Sequence, residues 1–153
     1  NAKVISNNLS SFKNHLIINK EADDGLKNEM GVINSTGIVG IINRTSKNYS
    51  SVMSVLNIET KINAKVKRTS HFGTLEWDGL SNNYLLLNDI PETADIKVGD
   101  SIITGGMSLI FPEGMVISMI RFWENKPWEE SDAAQSFHLK YRSTVRLIFS
   151  AKP

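Results

Sequence analysis

Lys61-Ile62-Asn63-Ala64-Lys65-Val66-Lys67 alternates strictly, with Ile62, Ala64 and Val66 on one side of an extended chain and three lysines plus Asn63 on the other. A period of two marks a half-buried β-strand, because the 3.6-residue turn of a helix would scatter the same apolar residues around its circumference. On either side the chain repeats the pattern in shorter form. Val4-Ile5, Leu16-Ile17-Ile18, Val32-Ile33, Ile38 to Ile42, Val52 to Leu56, Leu85-Leu86-Leu87, Ile102-Ile103, Val116 to Ile120 and Val145 to Phe149 are apolar bursts of strand length. Turn chemistry separates them, as in Asp24-Gly25, Thr36-Gly37, Asp78-Gly79, Gly105-Gly106 and Pro112-Glu113-Gly114. No window carries an apolar i, i+3, i+4, i+7 stripe over three turns, so the expected fold is all-β with at most short helical turns.

The chain echoes itself. Leu26-Lys27, then Gly31-Val32-Ile33, then Gly37-Ile38-Val39 is answered by Ile96-Lys97, Ser101-Ile102-Ile103 and Gly114-Met115-Val116. One strand-turn-strand unit used twice predicts two small β-barrels packed together, residues 1–60 and 61–153, with strands free to cross that boundary. The second copy carries additional residues, Gly105 through Pro112, between its two strands. Glu124 to Ser136 breaks the strand rhythm with Pro127 and three further acids and reads as a solvated loop.

With 153 residues, 41% of them hydrophobic, the chain can bury one average core or two small ones. It has no cysteine, which excludes disulfides, thiol chemistry and cysteine-ligated zinc. Seventeen basic against sixteen acidic residues gives a net charge of +1, too balanced to point to a nucleic-acid partner. No apolar run reaches the ~18–20 residues of a membrane-spanning helix. The chain opens on Asn1 without the features of a signal peptide and reads as a processed or excised piece.

Candidate chemistry is sparse. His71, Asp89 and Ser101, with Gly99-Asp100-Ser101, follow the order of a trypsin-like hydrolase, itself a double β-barrel. Yet they lie within about thirty positions, where such enzymes draw imidazole and serine from different barrels, and Ile102 stands where an oxyanion turn needs glycine. Histidines 15, 71 and 138 show no metal-ligand spacing, so no metal is expected. Asp23-Asp24 and Glu129-Glu130 read as turn and loop residues, and the glycines form no phosphate-binding loop, so no cofactor is expected. The basic cluster of Lys61, Lys65, Lys67 and Arg68 reads as solubility and edge protection. The Asn-x-Ser/Thr matches at Asn8, Asn34, Asn43 and Asn48 carry no weight in so Asn- and Ser-rich a chain. A wall-polymer binding module would need Trp77, Trp123 and Trp128 on one exposed face. The most unusual stretch is Gly105 to Gly114, in which glycines and a proline bracket Met107, Leu109, Ile110 and Phe111. These four either plug their own barrel or are shown to a partner, and a partner-binding surface is the expectation adopted.

Several motifs in order resemble the periplasmic region of the bacterial rod shape-determining MreC family. They are Asn19-Lys20 with Asp24-Gly25-Leu26, Met30-Gly31-Val32-Ile33 with Gly37-Ile38-Val39-Gly40, Gly73-Thr74-Leu75-Glu76-Trp77-Asp78-Gly79, Val98-Gly99-Asp100 with Thr104-Gly105, and Phe111-Pro112-Glu113-Gly114. The resemblance implies two small β-barrels, no catalysis, and a periplasmic scaffold of the cell-elongation machinery. That scaffold would bind and activate a class B penicillin-binding transpeptidase, join other elongation proteins, and self-associate as a dimer or filament. It would be held to the inner membrane by an upstream segment. Departures are Glu21 and Ser118, where the family usually has glycine, and the resemblance fades beyond about Phe122.

Overall fold

A computed structural model describes residues 1–35, 37–80, 82, 84–124 and 143–148. The strand expected over 61–67 is present as Lys61–Val66, with Ile62, Ala64 and Val66 buried to 4% exposure or less and Lys61 facing solvent. Burying Ile62 and Val66 this completely contributes ~1.5–3 kcal/mol each, and a one-residue slip would turn the apolar side outward, which sets the register. Ile62 stands opposite Leu75 and Ala64 opposite Gly73 on the antiparallel neighbour.

Eleven strands appear among the described residues: β1 (Val4–Asn7), β2 (Lys13–Ile18), β3 (Gly31–Asn34), β4 (Gly37–Thr45), β5 (Ser50–Asn57), β6 (Lys61–Val66), β7 (Phe72–Glu76), β8 (Tyr84–Ile90), β9 (Ser101–Thr104), β10 (Val116–Glu124) and β11 (Ser143–Ile148). The helical content described is one 3₁₀ turn, Ala22–Asp24. The all-β reading with at most short helical turns is therefore the observed class. Strands β6 to β11 close into a barrel of order β10-β11-β8-β7-β6-β9, whereas β1 to β5 form a sheet of order β1-β2-β5-β4-β3 that stays open between β1 and β3. Strand β10 continues through Glu124, into the segment read as a loop, and the rest of that segment lies outside the described residues.

The two units share a core. Leu75, Leu85, Leu87, Ile102 and Ile120 fill the barrel, and Ile38 and Ile41 of β4 belong to the same apolar cluster. Leu16, Ile18, Ile42 and Val52 make a smaller cluster on the first sheet. Asn14 and Asn57 are fully buried beside the joint. Asn14 Nδ2 donates to Leu56 O at 2.6 Å, Asn57 Nδ2 donates to Asn14 O at 3.1 Å, and Thr60 Oγ1 donates to Ser54 O at 2.7 Å. Buried amides left unpaired would cost ~1–3 kcal/mol each, so this pairing holds the chain where it leaves one sheet for the other.

Candidate functional site

Residues 105–115 form a long connection between β9 and β10, where the equivalent connection between β3 and β4 has only residues 35 and 36. The loop is clamped at its base. Thr104 Oγ1 donates to Pro112 O and accepts from Met115 N at 2.9 Å, while Gly114 N donates to Thr104 O at 3.1 Å. Asn63 on β6 holds one arm, since its backbone oxygen accepts from Gly105 N at 3.0 Å and its Oδ1 from Met107 N at 3.3 Å. Lys65 holds the other arm through an ion pair with Glu113 and lies 5.5 Å from the centroid of the Phe72 ring. Gly106 turns the chain at φ 76°, a left-handed conformation that side chains disfavour.

The four apolar residues of this loop divide. Phe111 is only 4% exposed and belongs to the shared core, and its ring occupies the space a Cβ on Gly31 would need. Ile110 is half-buried against the same core. The expectation that all four are displayed is therefore corrected for this pair: Phe111 anchors the loop between barrel and sheet, because Gly31 gives its ring room. Met107 is 72% exposed and Leu109 fully so. The loop thus presents an apolar tip to solvent on a backbone tied at both arms.

Residues weighed for catalysis stand elsewhere. Asp100, 8% exposed, accepts a bidentate pair from Arg68, Nε to Oδ1 at 2.7 Å and Nη2 to Oδ2 at 2.8 Å, and a further bond from Lys97 N at 2.9 Å. Arg68 also bonds Asp95 at 3.0 Å. The guanidinium above all, and the Lys97 amide after it, hold the Asp100 carboxyl below its ordinary value despite the opposing effect of burial, and Arg68 is raised in turn. Asp100 thus fastens the turn before β9. His71 Nδ1 is buried with no hydrogen-bond partner, so it does not receive the orienting carboxylate of a Ser-His-Asp triad, and Ser101 is the first residue of β9. His15 Nδ1 lies 2.9 Å from Lys13 O in the first sheet, far in sequence from His71, and His138 lies outside the described residues. Among the described residues no group of three His, Asp or Glu could hold a metal. Asp24 bonds Lys20 and the Glu21 amide, as a turn residue does. Trp77 is 5% exposed and part of the core, not a surface platform, and Trp128 lies outside the described residues.

An open β-sheet and a closed β-barrel sharing one core, with the chain's long loop fixed across their joint, define a tandem β-domain protein. The chain belongs to the MreC family: the model described as rod shape-determining protein MreC, barrel core, matches residues 4–149. That match continues past Phe122, where the motif resemblance fades. Cell shape-determining protein MreC of Listeria monocytogenes is 28% identical over 123 residues, covering 78% of this chain and 42% of the relative, and that of Escherichia coli is 26% identical over 118 residues, covering 77% and 32%. The chain thus spans less than half the length of these relatives. Three solved structures share the fold. MreC from Pseudomonas aeruginosa aligns with a TM-score of 0.79 at 20% identity over 96% of this chain and 87% of that one. The major periplasmic domain of the cell shape-determining filament MreC aligns at 0.75 and 22% identity over 98% and 86%. MreC of Helicobacter pylori, solved in complex with the penicillin-binding protein PBP2, aligns at 0.72 and 15% identity over 99% and 86%.

Proposed function

We propose that this chain is the non-enzymatic, periplasmic part of a cell-elongation scaffold, built from subdomains 1–60 and 61–153, that binds and activates a class B penicillin-binding transpeptidase. Family membership and the complex formed by the Helicobacter pylori protein support the partner class. The observation that carries the choice of surface is the Met107 and Leu109 tip, exposed on a loop whose backbone is held by Thr104, Asn63 and Glu113. Ile110 and Phe111 set the tip at its angle from below. Anchoring to the inner membrane through an upstream segment, contacts with other elongation proteins, and self-association as a dimer or filament through strand edges complete the reading.

Titration of the purified transpeptidase against wild type and Leu109→Ala tests it. Binding should weaken by ~1–2 kcal/mol, the usual order for an apolar anchor, with the thermal midpoint unchanged. Unchanged affinity in the double variant Met107→Ala/Leu109→Ala would remove the tip from the interface. Sedimentation equilibrium at high micromolar concentration addresses self-association, which a pure monomer would refute.

A further inference from the structure

All the sulfur of this chain is carried by five methionines, since it has no cysteine. They differ in access. Met107 is 72% exposed, Met30 is 39% exposed with its Sδ accepting from Lys27 N at 3.4 Å, and Met53 and Met115 are half-buried. Met107 is also gripped by one neighbouring side chain. The Asn63 carboxamide reaches it from β6 with both ends, Oδ1 accepting from Met107 N at 3.3 Å and Nδ2 donating to Met107 Sδ at 3.4 Å. Gly105 makes this possible, because a Cβ there would collide with Oδ1 and Cγ of Asn63. The thioether therefore stands at the tip with an amide N–H on one side and solvent on the other. Of its two lone pairs, the one facing Asn63 is engaged and the other is free.

We propose that Met107 is a reversible oxidation site that switches the loop tip between a docking and a non-docking form, with Asn63 as the positioning residue that directs the added oxygen to the solvent side. The switch rests on the transpeptidase reading, in which the tip is the docking surface; the site of oxidation does not. A peroxide is the oxidant. The free lone pair of Sδ attacks one peroxide oxygen, and the S–O bond forms as the O–O bond breaks. Sulfur loses two electrons to the peroxide, and the departing hydroxide takes the proton of the transferred oxygen and leaves as water. Docking then buries a polar sulfoxide oxygen where the tip had offered an apolar thioether, a desolvation cost absent from the reduced form. Reduction restores the thioether. Each sulfoxide epimer has its own reductase, so attack from one side leaves a product that one of the two enzymes repairs.

The test treats the chain with hydrogen peroxide, removes the peroxide, and titrates the product with the purified transpeptidase, while peptide mass spectrometry follows each methionine. Met107 should gain its oxygen before Met30, Met53 and Met115, and the Kd of wild type should rise at least about fivefold over that of untreated protein. Met107→Leu has no sulfur at the tip, so its Kd should be the same before and after treatment. One epimer-specific methionine sulfoxide reductase, applied alone, should restore most of the lost affinity and the other little. Asn63→Asp keeps an oxygen for Met107 N but removes the donor to sulfur, so the two reductases should there restore comparable shares. Oxidation of Met30 ahead of Met107, an unchanged Kd once Met107 is oxidised, an equal loss in Met107→Leu, or equal repair by both reductases in wild type would overturn the proposal. Leu109→Ala separates the two readings: affinity lost there but untouched by oxidation refutes the switch alone, whereas affinity untouched by both refutes the docking surface as well.

Discussion

Phe111 and Leu109 stand two positions apart on one loop and should respond to truncation in opposite ways. Phe111→Ala removes a ring sealed between barrel and sheet and should cost ~3–5 kcal/mol, a large part of the stability of a small chain, seen as a fall in the denaturant midpoint. Leu109→Ala removes a side chain surrounded by solvent and should leave that midpoint within ~0.5 kcal/mol. Asp100 supplies a second prediction at this scale. Its pKa is depressed in the folded state, chiefly by the Arg68 hydrogen bonds, so its ionised form stabilises the fold above the unfolded value of 3.8. That stabilisation should disappear as pH falls below 3.8 through the folded pKa. Denaturant titrations across this range should show a loss of stability in wild type that is reduced in Asp100→Asn, while at neutral pH the variant should be the less stable of the two.

At the scale of elements, the 105–115 loop depends on Thr104 more than on any residue of its own tip. The Thr104 hydroxyl bridges Pro112 O and Met115 N across the loop base, so Thr104→Val leaves both groups unpaired within a shape-conserving change. The expected loss is ~1–3 kcal/mol, with faster amide exchange at Met115 measured by NMR; unchanged exchange there would show that the loop base does not rely on the hydroxyl. Strand β6 shows the same economy: its buried side fills the barrel, while Asn63 and Lys65 on the opposite side hold the two arms of the loop.

For the whole molecule, the unequal cores predict unequal local stability. The barrel has no edge strand and holds the larger apolar cluster, whereas the first sheet ends in β1, exposed along its whole length, and rests on a cluster of four buried side chains. Hydrogen exchange should therefore be fastest in β1, intermediate in β2 and β5, and slowest in β6, β7 and β8, with mass spectrometry as the measurement. Because Ile38, Ile41 and Phe111 tie sheet to barrel, equilibrium unfolding should remain a single transition. Two resolved transitions would mean that the shared core does not couple the units.

Sequence alone determined the strand class, the side of β6 that turns inward and the doubling of the chain, because these rest on local periodicity and turn chemistry that each segment carries within itself. The loop at 105–115 was equally legible as an insertion, and so was its apolar character. Which of its apolar residues face outward was not, since Phe111 and Leu109 differ less in hydrophobicity than in what stands opposite them: Gly31, far away in sequence, makes room for one and nothing covers the other. The same limit hid the roles of Asn14, Asn57 and Asn63, which read as ordinary polar residues until the fold brings their carbonyl and amide partners together. Closure of one sheet and opening of the other also had to wait for tertiary structure, because whether an edge is paired depends on a strand's neighbours in space and not on its own residues.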